Sequence, residues 1–530
     1  MKRHKLAIVR GVYKTPSAHL PYGSLKSSFN IANQLILSGK FEKIDFYQEK
    51  YFEKFSEIIS KCKIEQIHFP ETGIKDIYDI IYLSGGHFSY DSFALRPNNK
   101  IPVVAEVGTV HFPEQWSSIF LASHQGNISN IDGFIFKSTR AKKIFDQTLK
   151  DWNLKFHLNL NINSTYISNG VNLIDNKFSE NYRNEFRKTL NLKSKSKLFL
   201  TFSRLAPNSK VDYESLLFAW KDIADSFPEA ILIISGAIIT SPDFRQYPTE
   251  LLKIAKEIGV YKNIRVIANP YDLWPNAHNY LMSGCDIFIH TTRGLEETTS
   301  NVVLEALAHS MPIIASNWAG MPDIISEKEN GYLIDAWVSK VSSKLSSQIF
   351  SRDSMFLNPE FEKYITIDNN QLISKIKELL SDDSLLNEMR EKSRESAENL
   401  FDIKIKVNER IMFFKKLINK SRKENKSEPL NPLIDMSNLI FNMANNRFKS
   451  NTKIVFKTRE NLEQLLLAFP KINSQLIVGL FDEMEVKQVI CYEDLKNKLV
   501  ALYTNNEILD ETLIKVLFKC NELNMIYLEK

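Results

Sequence analysis

Two glutamates, Glu297 and Glu305, stand with seven residues between them in a stretch that begins at His290. A carboxylate can accept hydrogen bonds from the paired hydroxyls of a sugar or a ribose. Between the two glutamates the pattern changes. An apolar run, Ile287–His290, ends in a polar turn, and an apolar stretch of helical period, Asn301–His309, follows. A helix is therefore predicted to start near Ser300 or Asn301. First-turn amides have no partner inside their own helix, and the helix dipole there favours an anion. The backbone at Ser300, Asn301 and Val302 can thus cradle a diphosphate. One glutamate would then take sugar hydroxyls on one side of it, and the other ribose hydroxyls on the far side. The competing reading is a plain helix cap with Glu305 facing solvent.

Cations suited to the same anion lie upstream. Arg204 and Lys210 follow the apolar run Leu198–Phe202. Arginine grips a phosphate bidentately and lysine acts as a point charge. A pair of solvated surface cations is the ordinary alternative. Thr109-Val110-His111 follows another strand-like run, Val103–Val107. His111 there can bind a sugar hydroxyl or assist proton transfer, although a lone histidine is more often structural. Gly23, in Tyr22-Gly23-Ser24 ahead of a long helical stretch, lets backbone amides approach a phosphate, or simply makes a turn. No GxGxxG and no GxxxxGK[ST] occurs, which disfavours a nicotinamide or flavin enzyme and a P-loop NTPase.

Such residues need scaffolds, and the chain supplies two. Leu6–Val9, Lys43–Tyr47, Ile80–Leu83, Val103–Val107 and Phe134–Phe136 read as buried parallel strands, with helices such as Leu25–Leu37 and Thr139–Leu149 between them. A second series follows: Leu198–Phe202, Ile231–Ser235, Ile264–Ile267, Ile287–His290 and Pro312–Ser316. Its helices include Tyr213–Ser226, Thr249–Ile258 and Asn301–His309. This alternation predicts two α/β domains with a ligand cleft at the carboxyl ends of their strands. The boundary is placed in the polar stretch Asp175–Ser196. Leu372–Leu380, Leu385–Ala397 and Ile403–Ile418 read as closing helices. The predicted organisation is residues 1–180, an N-terminal Rossmann-like domain; 181–420, a second Rossmann-like domain with the closing helices; 421–432, a linker; and 433–530, an accessory, mostly helical domain. In that last domain Tyr492–Tyr503 and Leu509–Leu523 read as helices and Met525–Leu528 as a strand, compatible with a small winged-helix-like unit. Packing on the catalytic body, oligomerisation and recognition of a protein or peptide acceptor are all open for it.

Composition narrows the class further. With 43% hydrophobic and 25% charged residues, the chain can bury ordinary cores. A net charge of +5 with no dense basic run gives no reason to expect nucleic acid. Cys62, Cys285, Cys491 and Cys520 are far apart, so neither a disulfide framework nor a zinc site is expected. The first apolar run is cut by Arg10, too short for a signal peptide, and no run reaches the ~18 apolar residues of a membrane helix. A cytoplasmic protein is expected, with contact at a membrane surface left open.

Taken together, these motifs resemble the retaining glycosyltransferases of family four (glycosyl transferases group 1), which have the GT-B fold of two facing Rossmann-like domains. The likeness spans roughly residues 1–420, and it implies that the first Rossmann-like domain takes the acceptor and the second the donor. Glu297 to Gly331 is similar to the family's donor-site motif and the strand–turn after it. Ser168-Asn169-Gly170-Val171-Asn172 resembles the interdomain signature. The resemblance implies that Glu297 contacts the donor sugar and Glu305 the ribose, and that Arg204 and Lys210 neutralise the diphosphate. It implies that His111 lies near the reacting sugar and Gly23 near the phosphates. It further implies a nucleotide-sugar donor (UDP-, GDP- or ADP-linked), retention at the anomeric carbon, no required metal or cofactor, and a glycan, lipid-linked or protein acceptor. Two departures stand out. Thr298-Thr299-Ser300 replaces a glycine- and phenylalanine-bearing stretch, and the Arg204–Lys210 loop is one residue longer, with no glycine after Lys210. A catalytically silent GT-B scaffold and a nucleotide-sugar epimerase are the alternatives.

Overall fold

The computed structural model describes residues 3–9, 23–48, 62–68, 74–85, 90–93, 95–110, 113–193, 195–207, 210–238, 245–295, 297–340, 360–424, 450–468, 474–500, 506–523 and 525–529. These fall into two compact units, 1–433 and 434–530.

The larger unit contains two parallel sheets with the same winding. The first has strands β1 (His4–Val9), β2 (Phe41–Gln48), β3 (Lys63–His68), β4 (Ile80–Leu83), β5 (Val103–Val107), β6 (Gly133–Phe136) and β7 (Asn163–Tyr166), in the order β3-β2-β1-β4-β5-β6-β7. The second has β8 (Lys197–Phe202), β9 (Ala230–Gly236), β10 (Ile264–Ala268), β11 (Ile287–His290), β12 (Ile313–Ser316) and β13 (Gly331–Ile334), in the order β10-β9-β8-β11-β12-β13. The winding direction reverses between β1 and β4 in one sheet and between β8 and β11 in the other. At such a reversal the flanking loops diverge and leave a crevice beyond the strands' carboxyl ends.

Helices cover both faces: α1 (Gly23–Leu37), α2 (Pro113–His124) and α3 (Thr139–Lys155) on the first sheet; α4 (Glu180–Thr189), α5 (Tyr213–Ser226), α6 (Tyr247–Glu257), α7 (Ala277–Gly284) and α8 (Asn301–Ala308) on the second. Two-sided cover explains why most inner strands are dominated by apolar residues, with buried charges such as Glu106 of β5 held in ion pairs. Along β8, Leu198 and Leu200 enter one core and Phe199 the other. Strands β3 and β7 lie at sheet edges and are partly polar, so neither shows an apolar run. The polar stretch Asp175–Ser196 contains α4. It is pinned to the second sheet by Arg183 and Arg187 on Asp286, each at 2.6 Å, and buries Phe186 against α7.

The chain crosses between the sheets twice, near Val171 and near Phe401. The crossings are hydrogen-bonded to each other, Val171 N to Phe401 O at 2.8 Å and Ile403 N to Val171 O at 3.0 Å. After the second crossing, helix Ile403–Ser421 returns to the first sheet and buries Val407, Ile411, Phe414 and Leu417 against β1, β4 and β5. Its Arg410, fully buried, donates from Nε to Glu106 Oε1 at 2.7 Å, and Lys137 pairs with the other oxygen of Glu106.

The smaller unit is a three-stranded antiparallel sheet, ordered Val489–Cys491, Lys453–Phe456, Ile526–Glu529, with helices Leu462–Ala468, Ser474–Lys487, Tyr492–Val500 and Asn506–Glu522 around a core that includes Ile454, Phe481 and Leu517. Most of the expected linker, from 425 to 432, lies outside the described residues.

Candidate functional site

The second sheet's reversal point gathers the candidate residues. Arg204 follows β8, and the turn bearing Glu297 follows β11 and leads into α8, with Ser300 as its N-cap residue. The Arg204 loop is held close to β9. A Cβ on Gly236 would lie 1.6 Å from the Ser203 carbonyl oxygen, so only glycine admits this approach. Tyr213 Oη donates to the Arg204 carbonyl at 3.3 Å. The Glu297 turn is held by a second close approach, since a Cβ on Gly320 would lie 1.8 Å from the Thr298 oxygen.

Glu297 is buried. Its Oε2 lies 2.9 Å from Lys210 Nζ and 3.9 Å from His290 Nε2. Burial alone raises a carboxyl pKa; here Lys210, His290 and Arg204 outweigh it and hold Glu297 below its ordinary value, as a carboxylate. His290, enclosed at the end of β11, is pushed down to about 4 by burial and is neutral at pH 7. Its Nε2 lies 3.2 Å from Ser300 Oγ. Lys210 therefore shares the Glu297 pocket, despite the altered loop, while the Arg204 side chain is exposed beside it.

Eight residues further on, Glu305 forms a second cluster. Its Oε1 accepts from Lys26 Nζ at 2.7 Å, and its Oε2 lies 3.3 Å from His278 Nε2. Burial pushes the Glu305 carboxyl up, and Lys26 and His278 bring it below its ordinary value. Burial also pushes His278 down to about 3 and His309 to about 4, so Lys26 carries the only formal positive charge in contact with Glu305 among the described residues. Glu305 thus does not face solvent as a bare helix residue would. It is engaged from the other domain, because Lys26 lies in α1.

Further bonds join the two α/β domains. Thr298 Oγ1 donates to the Gly108 carbonyl after β5, so the threonine-rich replacement makes a cross-cleft contact. Asn169 Nδ2 donates to Asn301 Oδ1 at 2.9 Å. Asp323 accepts from the Thr139 backbone amide at 2.7 Å, where the α3 dipole favours a carboxylate. Arg140 Nη2 donates to Asn317 Oδ1 at 2.8 Å.

The sequence-derived residues are thus brought together in part. Glu297, Lys210, Arg204 and Ser300 converge at the start of α8; Glu305 lies on that helix. The side chain of Val302 packs on the second domain's core, leaving only its backbone for an anion. Gly23 begins α1, three residues before Lys26. His111 lies outside the described residues. Sequence reasoning did not single out Lys26, His278 or His290. His278 and Lys26 carry no local signal, because their partner is remote in the chain.

Two doubly wound sheets meeting at their carboxyl ends, with anion-ready groups on the second, define a GT-B protein. Residues 182–353 match the model of the family described as Glycosyl transferases group 1. Among solved structures, the glycosyltransferase from Rickettsia africae ESF-5 is 13% identical and covers 79% of this chain and 99% of its own, with a TM-score of 0.52. The Anabaena protein Alr3699/HepE in complex with UDP is 15% identical over 78% of this chain and 99% of its own, with a TM-score of 0.51. Sucrose-phosphate synthase from Thermosynechococcus elongatus is 14% identical over 79% and 100%, with a TM-score of 0.51. Spore coat protein SA of Bacillus subtilis (strain 168) is 30% identical over 154 residues, 29% of this chain and 38% of that protein. The chain thus matches well under half the length of this curated relative. No helix among the described residues is long and apolar enough to cross a membrane.

Proposed function

We propose that this protein is a retaining glycosyltransferase of the family-four type that moves a sugar from a nucleotide-sugar to an acceptor hydroxyl. The supporting observation is one arrangement: two buried, ionised carboxylates, Glu297 and Glu305, flank the first turn of α8 at the sheet's reversal point, with Arg204 and Lys210 alongside.

In this reading the diphosphate sits at the amino end of α8, against the backbone of Ser300, Asn301 and Val302. Arg204 and Lys210 face it, and Lys210 exchanges its contact with Glu297 for the departing phosphate. Glu297 takes hydroxyls of the donor sugar and Glu305 those of the ribose; Gly23 is assigned to the phosphates, and His111, outside the described residues, to the reacting sugar. The bond from the anomeric carbon to the phosphate oxygen breaks. The acceptor oxygen bonds to the same face of that carbon, and its proton leaves with the nucleoside diphosphate. Among the described residues no second carboxylate is assigned as a nucleophile, and front-face attack is favoured. Catalysis is then mostly positioning and stabilisation of the leaving diphosphate. Arg204, Lys210 and the helix end supply its positive field, so no metal is required. The first domain selects the acceptor, a glycan, a lipid-linked glycan or a protein. The smaller unit serves oligomerisation or a partner.

A thermal-shift comparison of UDP, GDP and ADP tests the donor site, because a ligand that binds only the folded state raises the melting temperature by mass action. One nucleotide should stabilise well above the others. Release of that nucleotide from its sugar conjugates, with and without acceptor extract, tests turnover. Tight nucleotide binding with no turnover supports the silent scaffold; nucleotide formed without acceptor-linked sugar supports an epimerase-like or hydrolytic reaction.

A further inference from the structure

The contact between Lys26 and Glu305 has a consequence for how a nucleotide enters. Lys26 Nζ donates to Glu305 Oε1 at 2.7 Å, while Oε2 lies 3.3 Å from His278 Nε2 without a hydrogen bond between them. A ribose diol presents two hydroxyls and needs acceptor capacity on that same carboxylate. His278 is neutral and enclosed, so it keeps its place as a neutral contact at small cost. Lys26 is different. Its side chain is 38% exposed, against 8% for Glu305, and it reaches over from α1 of the other domain. The lysine is the partner able to leave.

Lys26 also has somewhere to go. Glu305 lies four residues beyond Asn301 in α8, about 6 Å along the helix axis at ~1.5 Å per residue. A flexible four-carbon stem spans that distance. A diphosphate at the start of α8 therefore falls within the sweep of the same ammonium that holds Glu305.

We propose that Lys26 is an exchange ligand for the nucleotide: it neutralises Glu305 before binding and passes to the diphosphate when the ribose takes its place. This rests on the donor-site reading above. The exchange makes the first domain a direct contributor to the donor site. It also makes the phosphates necessary for efficient ribose binding. A nucleoside without phosphates must break the Lys26–Glu305 pair and gains no new partner for the lysine, whereas a nucleoside diphosphate moves the charge from one anion to another.

The test compares a nucleoside diphosphate with its own nucleoside on wild type, Lys26→Met and Lys26→Arg. The pair is UDP and uridine, or the GDP or ADP pair where thermal shift selects it, and dissociation constants are read by calorimetry. The Lys26→Met variant should bind the diphosphate about tenfold or more weaker, and the nucleoside equally well or more tightly, because a competitor for Glu305 has gone. Lys26→Arg should keep most of the diphosphate affinity. Turnover assays should show the loss in Lys26→Met chiefly as a raised donor KM. A circular-dichroism melt of each variant checks folding, and Lys26→Gln replaces Lys26→Met should the latter not fold. Parallel loss of diphosphate and nucleoside affinity would show that Lys26 only shapes the pocket, and unchanged diphosphate affinity would show that it never reaches the phosphates; either overturns the exchange. A wild type that binds none of the three nucleoside diphosphates overturns the donor-site reading instead.

Discussion

Glu297 and Glu305 are both buried, both ionised and both on the path from β11 through α8, yet they are held in different ways. Glu297 is balanced from within its own domain, by Lys210 and the nearby Arg204. Glu305 is balanced across the cleft, by Lys26. The first arrangement survives any relative movement of the two sheets; the second depends on their being together. Glu297, Lys210 and Arg204 are thus preassembled in one domain, while Glu305, proposed to meet the ribose, reports on domain closure through Lys26.

Substitution tests the contrast most severely at the preassembled end. Glu297→Ala and Arg204→Ala should each lower kcat by about a hundredfold or more, with little change in melting temperature; loss of one well-placed electrostatic partner in a transition state has about this size. Wild-type initial rates of nucleotide release in both variants would sink the assignment. At the other end, Glu305→Gln should act mainly on binding, weakening nucleoside diphosphate about tenfold by calorimetry while kcat falls less. If it instead abolishes kcat at saturating donor, the two carboxylates do not differ as described.

Acid should strain both clusters through their histidines. An unfolded histidine titrates near 6.5, while burial holds His290 and His309 at about 4 and His278 at about 3. Between these values the unfolded chain binds more protons, so stability rises with pH across that window and is lost as pH falls below 6.5. The melting temperature should drop from pH 7 to pH 5, and less steeply in His290→Gln. A flat profile in the wild type would contradict the enclosed, neutral histidines. Smallest of all, Thr298→Val removes one cross-cleft hydrogen bond, worth about 1 kcal/mol, and should lower kcat/KM a few-fold. No change there would mean that closure does not use this contact.

Much of this organisation is legible in the residues, for a physical reason. Strands covered on both faces are mostly apolar, so β4, β5 and β11 stand out at their observed limits even with Glu106 and His290 among their residues. Edge strands need no such run, and β3 and β7 escape notice. Glu297, Arg204 and Lys210 are visible because strand-end loops and a helix start have local signatures. Lys26 is not, because its partner is 279 residues away and only the fold brings them together. Burial explains the rest: nothing local marks His278 as enclosed or Glu305 as engaged rather than solvated.

The returning helix Ile403–Ser421 has a consequence for synthesis. The first sheet's strands are complete at Tyr166, yet the face beneath Val407, Phe414 and Leu417 stays uncovered until this helix emerges. At about 5–20 residues per second, translation of everything in between takes on the order of ten to fifty seconds. During that interval the nascent first domain presents a sticky apolar surface beside a ribosome that is still making the second. A chaperone, or the nascent second domain itself, has to guard that surface, and a fragment ending before residue 403 should aggregate rather than fold.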